Sequence, residues 1–354
     1  MRKIIGVSLA MVMLTSCSET SLSGGSKSEK IEVQKNLLNG LPGTDNEIIV
    51  VKIDDTRQAR PQTGIEDADV VYLEQVEGGA TRIAALYSSK YPEVVGPVRS
   101  ARISDIEIFA QYGKFGFAYS GAQRKLISVI DAANLFNMSA ERFGYYEPYF
   151  RDDTRYAPVN LYLYPNLLLE KAHAKDIYFE KASKSGWVFG PIGGVEKDGK
   201  VGKAEISGRE VLGVDFSWPA VKYGADWDKA TQKWLIRQNG EPKMAKSGIQ
   251  LGADTLVVQL VAITDSEYGD KFGGVTPHSA TIGSGIALIF RGGKVFDAIW
   301  DRPTATETTT WKDATGADIP FATGQTWIAL VDQERPPNVI ESAIPTDAPS
   351  PVTK

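Results

Sequence analysis

The sequence predicts an α+β or mixed α/β first half, in which helices pack on a sheet, followed by a mainly β second half. Two strand-to-helix transitions follow one another within residues 81–133, which is typical of helices packed on a sheet. The second half instead carries apolar runs separated by glycine turns. All seven tryptophans also lie beyond residue 186. This shift in composition predicts two domains, residues 46–190 and 191–333, which join at a glycine-rich stretch.

The first seventeen residues, MRKIIGVSLAMVMLTSC, predict a secretory signal peptide. Arg2 and Lys3 precede an apolar run that is too short to span a bilayer. The ending LTSC resembles a bacterial lipobox, so we expect Cys17 to be acylated, palmitate included, and to become the new N-terminus. Cys17 is the only cysteine, which excludes disulfides and thiol catalysis from the mature chain. A membrane-anchored lipoprotein on the outer face of a bacterial membrane is therefore expected.

Both ends of the mature chain lack the composition of a folded core. Residues 18–45 begin with small polar residues and predict a flexible tether, and the proline-rich residues 334–354 predict a disordered tail. The formal net charge is −5, and removing Arg2 and Lys3 with the signal makes it more negative by two. An acidic chain of this kind is not expected to bind nucleic acid, which needs a basic surface.

The first half contains the elements that predict a sheet with packed helices. Two apolar runs separated by Glu77-Gly78-Gly79 predict a β-hairpin, since glycine supplies the left-handed turn conformation. Gly113 suits the end of a helix that begins between Ser100 and Ser104. In order, we predict strands at 48–53, 70–76, 81–88 and 116–119, and helices at 100–113, 126–133 and 166–175.

The second half contains mostly strand signals. The run WLIR leads into Gln238-Asn239-Gly240, a strong hairpin turn signal. Further strands are predicted at 255–263, 286–290, 295–300 and 326–331.

Polar candidates for a functional site concentrate in the first half. Asp54 and Asp55 end the first strand, where ligands of α/β sheets tend to bind. The predicted ligand-binding set is Asp54, Asp55, Arg60, Glu77, Arg82, Arg99, Ser100 and Arg102.

The segment GPVRSARISDIE, residues 96–107, is the sharpest signal in that set. Ser104 and Glu107 fit a capping box, which places Arg99 and Arg102 beside the first turn of a helix. Free amides, the helix dipole and two guanidinium groups would together favour phosphate or carboxylate. The alternative is that Arg99 and Arg102 pair with nearby carboxylates and only hold loops together. A second helix start, at Ser120-Gly121-Ala122-Gln123, would add amides to the same cleft.

Two other kinds of chemistry stay open. Asp54 or Glu77 could act as a general acid or base in a hydrolase of envelope glycans or peptides. No cofactor or metal site is predicted; clustered aspartates leave Ca²⁺ or Mg²⁺ as a weak alternative. Histidine chemistry is not expected, because His173 fits a solvated helix position and His278 a loop without an evident partner. The tryptophans are interpreted as core residues, with carbohydrate binding as the alternative.

Several motifs resemble the YerB-like family of bacterial lipoproteins. They are KIDD (52–55), ARPQTG (59–64), ADVVY (68–72), VEGGATR (76–82), VGPVRSAR (95–102), AIWDR (298–302) and TGQTWI (323–328). The resemblance covers nearly the whole mature chain and implies lipid anchoring and a two-part architecture. Both halves of that family are domains of unknown function, so it implies no reaction.

One position departs from the family pattern. Val159 stands where RDDTRYAPVNLY usually has a histidine. If the family uses that histidine as an acid or base, this chain must lack the activity or rely on Asp and Glu. The three functional hypotheses are therefore an anionic envelope ligand held by the first domain, a hydrolase, and a partner-binding scaffold without catalysis.

Overall fold

The computed structural model describes residues 33–191, 196–197, 200–201, 206–270 and 273–341. It is mostly β, with 42% of residues in strands and 14% in helices. Helices do pack on a sheet in the first half, as predicted, but the α-helices there are short. The α+β class is therefore only partly confirmed. The mainly β character of the second half agrees with the prediction.

Strands and helices follow the predicted order closely. The described residues form four α-helices: α1 (Ile103–Phe109), α2 (Arg124–Ala132), α3 (Ala140–Phe143) and α4 (Pro165–His173). The strands of the first half are β1 (Ile49–Asp54), β2 (Val70–Gln75), β3 (Thr81–Tyr87), β4 (Gly116–Ala118), β5 (Phe136–Asn137), β6 (Tyr149–Arg151) and β7 (Leu161–Leu163). Those that follow are β8 (Glu196–Lys197), β9 (Lys200–Val201), β10 (Arg209–Trp218), β11 (Val221–Asp228), β12 (Lys233–Gln238), β13 (Glu241–Pro242), β14 (Gly252–Ala253), β15 (Thr255–Val261), β16 (Ile263–Gly269), β17 (Val275–Ser279), β18 (Gly283–Arg291), β19 (Lys294–Arg302), β20 (Thr310–Lys312), β21 (Thr326–Asp332) and β22 (Asn338–Glu341).

Both halves contribute strands to one sheet. Its order is β13-β12-β11-β10-β19-β18-β15-β21-β2-β3-β1-β4-β5. The halves meet where β2 and β21 run parallel, with Val70 beside Thr326. Residues from Gln34 onward form one compact unit. The predicted division near residue 190 thus separates two sequence segments that share a sheet.

The central strands are buried on both faces. In β1, Ile49, Val51 and Ile53 pack in one apolar core, whereas Val50 packs in the core on the other face. This alternation follows from the two-residue period of a strand. A run without polar alternation, such as IIVVKI, is typical of a strand covered on both sides. Lys52 and Asp54 consequently point to the Val50 face.

The folded part of the chain extends further towards both termini than the sequence predicts. The tether predicted over residues 18–45 extends too far, because Leu38 is buried in the core and Asn39 donates to Asp69 at 2.6 Å. The tail predicted from residue 334 also begins too early. Its first part forms β22, which pairs with β10 and places Val339 beside Val214. The predicted signal peptide, Cys17 and residues 342–354 lie outside the described residues.

The predicted hairpin between β2 and β3 is confirmed and has a tightly held turn. Gly79 adopts a φ of +70°, which favours glycine. A Cβ added there would lie 2.5 Å from the Cβ of Pro219. The turn therefore fixes Glu77 and the start of β3, which carries Arg82.

Candidate functional site

A polar cleft opens beyond the end of β1, and we call it the arginine cleft. It has a volume of about 630 Å³. Its walls come from the β2–β3 turn, the chain before α1, the start of α2 and the β16–β17 hairpin. The lining side chains used below are Thr56, Glu77, Arg82, Arg99, Ser100, Arg102, Arg124 and Thr276. The cleft therefore brings together five of the eight predicted site residues.

Two guanidinium groups face one buried carboxylate at the back of the cleft. Arg99 Nε lies 2.6 Å from Asp54 Oδ2, and Arg82 Nη1 lies 3.9 Å from Asp54 Oδ1. The Arg99 N–H is not aligned with that oxygen, so the contact is an ion pair without a hydrogen bond. Arg82 Nε also lacks a hydrogen-bond partner within the protein. Asp54 is completely buried, while Arg99 keeps 23% of its side chain exposed.

The third arginine is better satisfied. Arg102 donates to Glu77 Oε2 from Nε at 2.9 Å and from Nη2 at 2.7 Å. The other Glu77 oxygen accepts a hydrogen bond from the Thr276 hydroxyl. Burial alone would raise the pKa of Glu77, but the bonds and charge of Arg102 outweigh burial and hold that pKa below its usual value. Glu77 is thus held as a carboxylate.

A buried charge cluster supports the cleft from behind. Lys52 Nζ contacts Glu74 and lies 2.6 Å from Asp105 Oδ1, and all three side chains are essentially inaccessible. Burial lowers the pKa of Lys52 to about 8, although the charge of Asp105 opposes this. Lys52 and the three arginines balance Asp54, Glu74, Glu77 and Asp105 in number. The carboxylates of Asp54, Glu74 and Asp105 are buried behind the arginines, so the charged residues that line the cleft are four arginines and two acids, Glu77 and Asp270.

The helix starts within the predicted range, but its cap differs from the predicted one. Helix α1 begins at Ile103, and Asp105 Oδ2 accepts the N–H of Arg102 at 2.6 Å. Ser104 is buried and accepts the N–H of Ser279 at 3.0 Å instead of capping the helix. The predicted capping box of Ser104 and Glu107 is therefore wrong, and an anion site at this turn stays a prediction. Ser100 does line the cleft, and its hydroxyl lies 3.4 Å from that of Ser120.

Asp55 and Arg60, two of the predicted site residues, do not line the arginine cleft. Asp55 points to the opposite face and enters a closed cluster, which we call the aspartate hub: Lys243, Tyr223, Gln238, Thr81 and Gln62. Lys243 Nζ lies 2.7 Å from Asp55, and both side chains are fully buried. Burial alone would raise the pKa of Asp55, but the charge of Lys243 lowers it. Grouping Asp55 with Asp54 was wrong because successive strand residues face opposite sides.

A second groove adjoins the arginine cleft, and we call it the tyrosine groove. It has a volume of about 500 Å³ and shares Thr56 and Arg99 with the arginine cleft. The remaining lining residues are Asp54, Gln58, Thr154, Arg155, Tyr156, Ala157, Pro158 and Val159. Val159, the position that departs from the family pattern, therefore lies in a wall beside Arg99.

Sequence reasoning missed several lining residues. Arg124 is the first residue of α2 and directly follows Gln123, the last residue of the second helix start that the sequence predicts for this cleft. Thr276 comes from the other half of the chain, and no sequence signal connects it with Glu77. Arg155 and Tyr156 lie in the loop that carries Val159, and only Val159 of that loop is singled out by the sequence pattern.

The histidines and tryptophans are mostly structural. His278 lies in β17 with Nε2 3.1 Å from Glu107, so the prediction of a loop residue without a partner is wrong. His173 contacts Glu47 at 2.7 Å at the end of α4. Trp218, Trp234, Trp300, Trp311 and Trp327 are buried in the core.

The described part of the chain contains no group of three or more His, Cys, Asp or Glu side chains arranged to hold a metal ion. No helix within the described residues is long and apolar enough to cross a membrane.

Comparison with known proteins identifies the family. The family described as "Protein of unknown function (DUF3048) N-terminal domain" matches residues 38–178, and its C-terminal domain matches residues 214–328. The chain belongs to this YerB-like family. YerB of Bacillus subtilis (strain 168), which is named as a lipoprotein, is 24% identical over 292 residues, or 81% of this chain and 82% of YerB.

The fold of this chain is similar to that of YerB. The crystal structure of the Bacillus subtilis protein superimposes with a TM-score of 0.71 at 20% identity, and the match covers 86% of this chain and 99% of that one. This likeness concerns the fold and carries no ligand or reaction. The two family matches also fall on either side of the predicted division near residue 190.

Proposed function

We propose that this YerB-like protein is an envelope lipoprotein, anchored through Cys17 on the outer face of a bacterial membrane, that binds a phosphate- or carboxylate-bearing ligand in the arginine cleft. The observation that carries the proposal is the incomplete neutralisation of Arg82. Its side chain is 7% exposed, its nearest carboxylate is 3.9 Å away, and its Nε has no partner within the protein. A buried guanidinium in this condition is costly unless an anion completes its contacts.

The groups around Arg82 also favour a bound anion. Burial lowers the pKa of Arg82, and so do the charges of Arg99 and Arg102, while Asp54 opposes the shift. Burial is the main cause of the lowered pKa, and the cations that converge on Arg82 add to it. An oxyanion bound between Arg82 and Arg99 would supply charge and acceptor atoms where both are lacking, and planar guanidinium groups suit such ligands.

Binding is favoured over acid–base catalysis by the state of the two candidate carboxylates. A general acid at neutral pH needs a raised pKa. The pKa of Glu77 is lowered instead, and both of its oxygens are bonded. Asp54 is fully buried behind Arg99. Hydrolysis therefore has less support than binding.

Thermal unfolding of the full chain tests the proposal. Inorganic phosphate and acetate are compared with chloride at matched ionic strength. An anion that binds only the folded protein raises its stability by ~1.4 kcal/mol at about ten times its Kd. We expect this rise for the wild type and for Arg237→Gln, but not for Arg99→Gln/Asp54→Asn.

The control is matched to the test in two respects. Arg237 is also 23% exposed and also pairs with carboxylates, Asp215 and Asp226, but it lies on β12 away from the cleft. The double variant removes both members of the pair formed by Arg99 and Asp54, so the net charge is unchanged, although Arg82 loses its nearest carboxylate. An equal response of all three proteins, or no response of the wild type, would contradict an anion site in the cleft.

A further inference from the structure

The arginine cleft and the tyrosine groove share two lining residues. Arg99 lines both, as does Thr56. A ligand whose anionic group contacts Arg99 can therefore extend into the groove without crossing open surface. Volumes of about 630 and 500 Å³ each lie in the range of small-molecule sites, so the pair can take a ligand larger than a simple ion.

The wall of the tyrosine groove is held in place by the protein itself. Arg155 donates from Nη1 to the carbonyl of Ala59 at 2.9 Å and from Nη2 to that of Pro61 at 3.0 Å. Its guanidinium also lies over the ring of Tyr162. These contacts tie the loop that carries Tyr156 to the chain after β1. Binding there would cost little ordering of the loop.

The groove presents an aromatic side chain beside small polar groups. Tyr156 is 88% exposed, an unusual state for so large a ring. Thr56, Gln58 and Thr154 add hydroxyl and amide groups that can donate and accept hydrogen bonds. A sugar ring matches this combination, because its C–H face packs on an aromatic ring while its hydroxyls bond to polar neighbours. A hydrocarbon chain would remain largely in water, since the loop around Tyr156 is exposed.

Resting on the proposed anion site, we infer that the ligand is an anionic sugar, such as a sugar phosphate, whose ring packs on Tyr156 and whose anionic group contacts Arg99. The arginine cleft supplies charge complementarity, and the groove supplies recognition of the sugar. Tyr156 is then a specificity-determining residue that does not bind the anion.

Isothermal titration of the full chain with three probes tests this inference. The probes are inorganic phosphate, N-acetylglucosamine and N-acetylglucosamine 1-phosphate. We expect the wild type to bind the sugar phosphate about tenfold more tightly than inorganic phosphate. Tyr156→Ala should lose that advantage and keep its affinity for inorganic phosphate. Tyr146→Ala is the control, because Tyr146 is also exposed, at 92%, and does not line the groove.

The outcomes separate this inference from the function on which it rests. If inorganic phosphate binds but the sugar phosphate binds no more tightly, the sugar inference is wrong and the anion site stands. If the advantage persists in Tyr156→Ala, the sugar lies elsewhere and the inference is again wrong. If neither phosphate compound binds, the proposed anion site fails as well.

Discussion

Two neighbouring aspartates at the end of β1 have opposite surroundings. Asp55 lies in the closed aspartate hub, where Lys243 and Tyr223 contact it at 2.7 and 2.8 Å. Asp54 lies behind the arginine cleft, with an unaligned ion pair to Arg99. Both oxygens of the Asp55 carboxylate are bonded within the protein, although Gln62 Oε1 of the hub is not. In the cleft, by contrast, Asp54 Oδ2, Arg82 Nε and Arg99 Nε all lack a hydrogen-bond partner. Completeness of bonding, rather than the presence of charges, distinguishes a structural cluster from a candidate binding site.

The difference also concerns what each cluster connects. The hub joins the chain after β1 to Tyr223 of β11 and Gln238 of β12, so it ties the two halves together. The cleft uses both halves as walls but remains open between them. Removing a hub residue should therefore reduce stability without affecting binding. Removing a cleft residue should affect binding most.

The largest expected effect comes from the hub. Lys243→Met leaves the Asp55 carboxylate buried without its cation, which should cost about 3–5 kcal/mol of unfolding free energy. Lys233→Met is the matched control, because Lys233 forms a partly exposed pair with Asp254 at the same 2.7 Å distance and should cost less than about 1 kcal/mol. Urea unfolding measures both. Equal losses of unfolding free energy in the two variants would mean that the buried ion pair of the hub stabilises the protein no more than the pair of Lys233 and Asp254.

An intermediate effect is expected from the cleft. Arg99→Gln leaves Asp54 buried with only the distant charge of Arg82, which should cost about 1–3 kcal/mol. Adding Asp54→Asn should recover only part of this loss, because the unpaired buried carboxylate is removed but Arg82 loses its nearest carboxylate. The phosphate response should stay absent in both variants. Recovery of phosphate binding in the double variant would show that Arg99 serves only to neutralise Asp54.

The smallest effect concerns the half-buried pair of Glu107 and His278, between α1 and β17. Hydrogen bonds from His278 and from Thr281 lower the pKa of Glu107 to about 2 despite burial, and Glu107 raises the pKa of His278 above 6.5. The contribution of Glu107 is present above pH 4.5 and declines as the pH falls towards 2. That of His278 is present below pH 6.5 and declines as the pH rises through its folded pKa.

His278→Gln tests this pair. Urea unfolding should show a loss of about 1 kcal/mol between pH 4.5 and 6.5 and a smaller loss on either side. A loss that is constant from pH 3 to pH 9 would mean that the pair is not ionic.

The sequence predicts local structure well and spatial grouping only in part. The apolar run of β1 and the Glu77-Gly78-Gly79 turn indicate their elements directly, because strand and turn patterns are local. The pairing of Val70 with Thr326 joins residues far apart in the chain, and no local pattern contains it. The hydrogen bond from Thr276 to Glu77 likewise joins residues far apart in the chain, so no local pattern predicts it.

The candidate site shows the same limit. Arg82, Arg99 and Arg102 do line one cleft, because the start of β3, which carries Arg82, lies close to the chain directly before α1. Asp55 was grouped wrongly, although the two-residue period of a strand separates it from Asp54.

The measurement that tests the account most directly is a crystal of the full chain soaked with tungstate, a phosphate-like oxyanion with strong anomalous scattering. We expect an anomalous-difference peak in the arginine cleft, within hydrogen-bond distance of Arg82 and Arg99, and no such peak at the aspartate hub. A cleft without tungstate, or a peak that persists there in Arg99→Gln/Asp54→Asn, would contradict an anion site formed by these arginines.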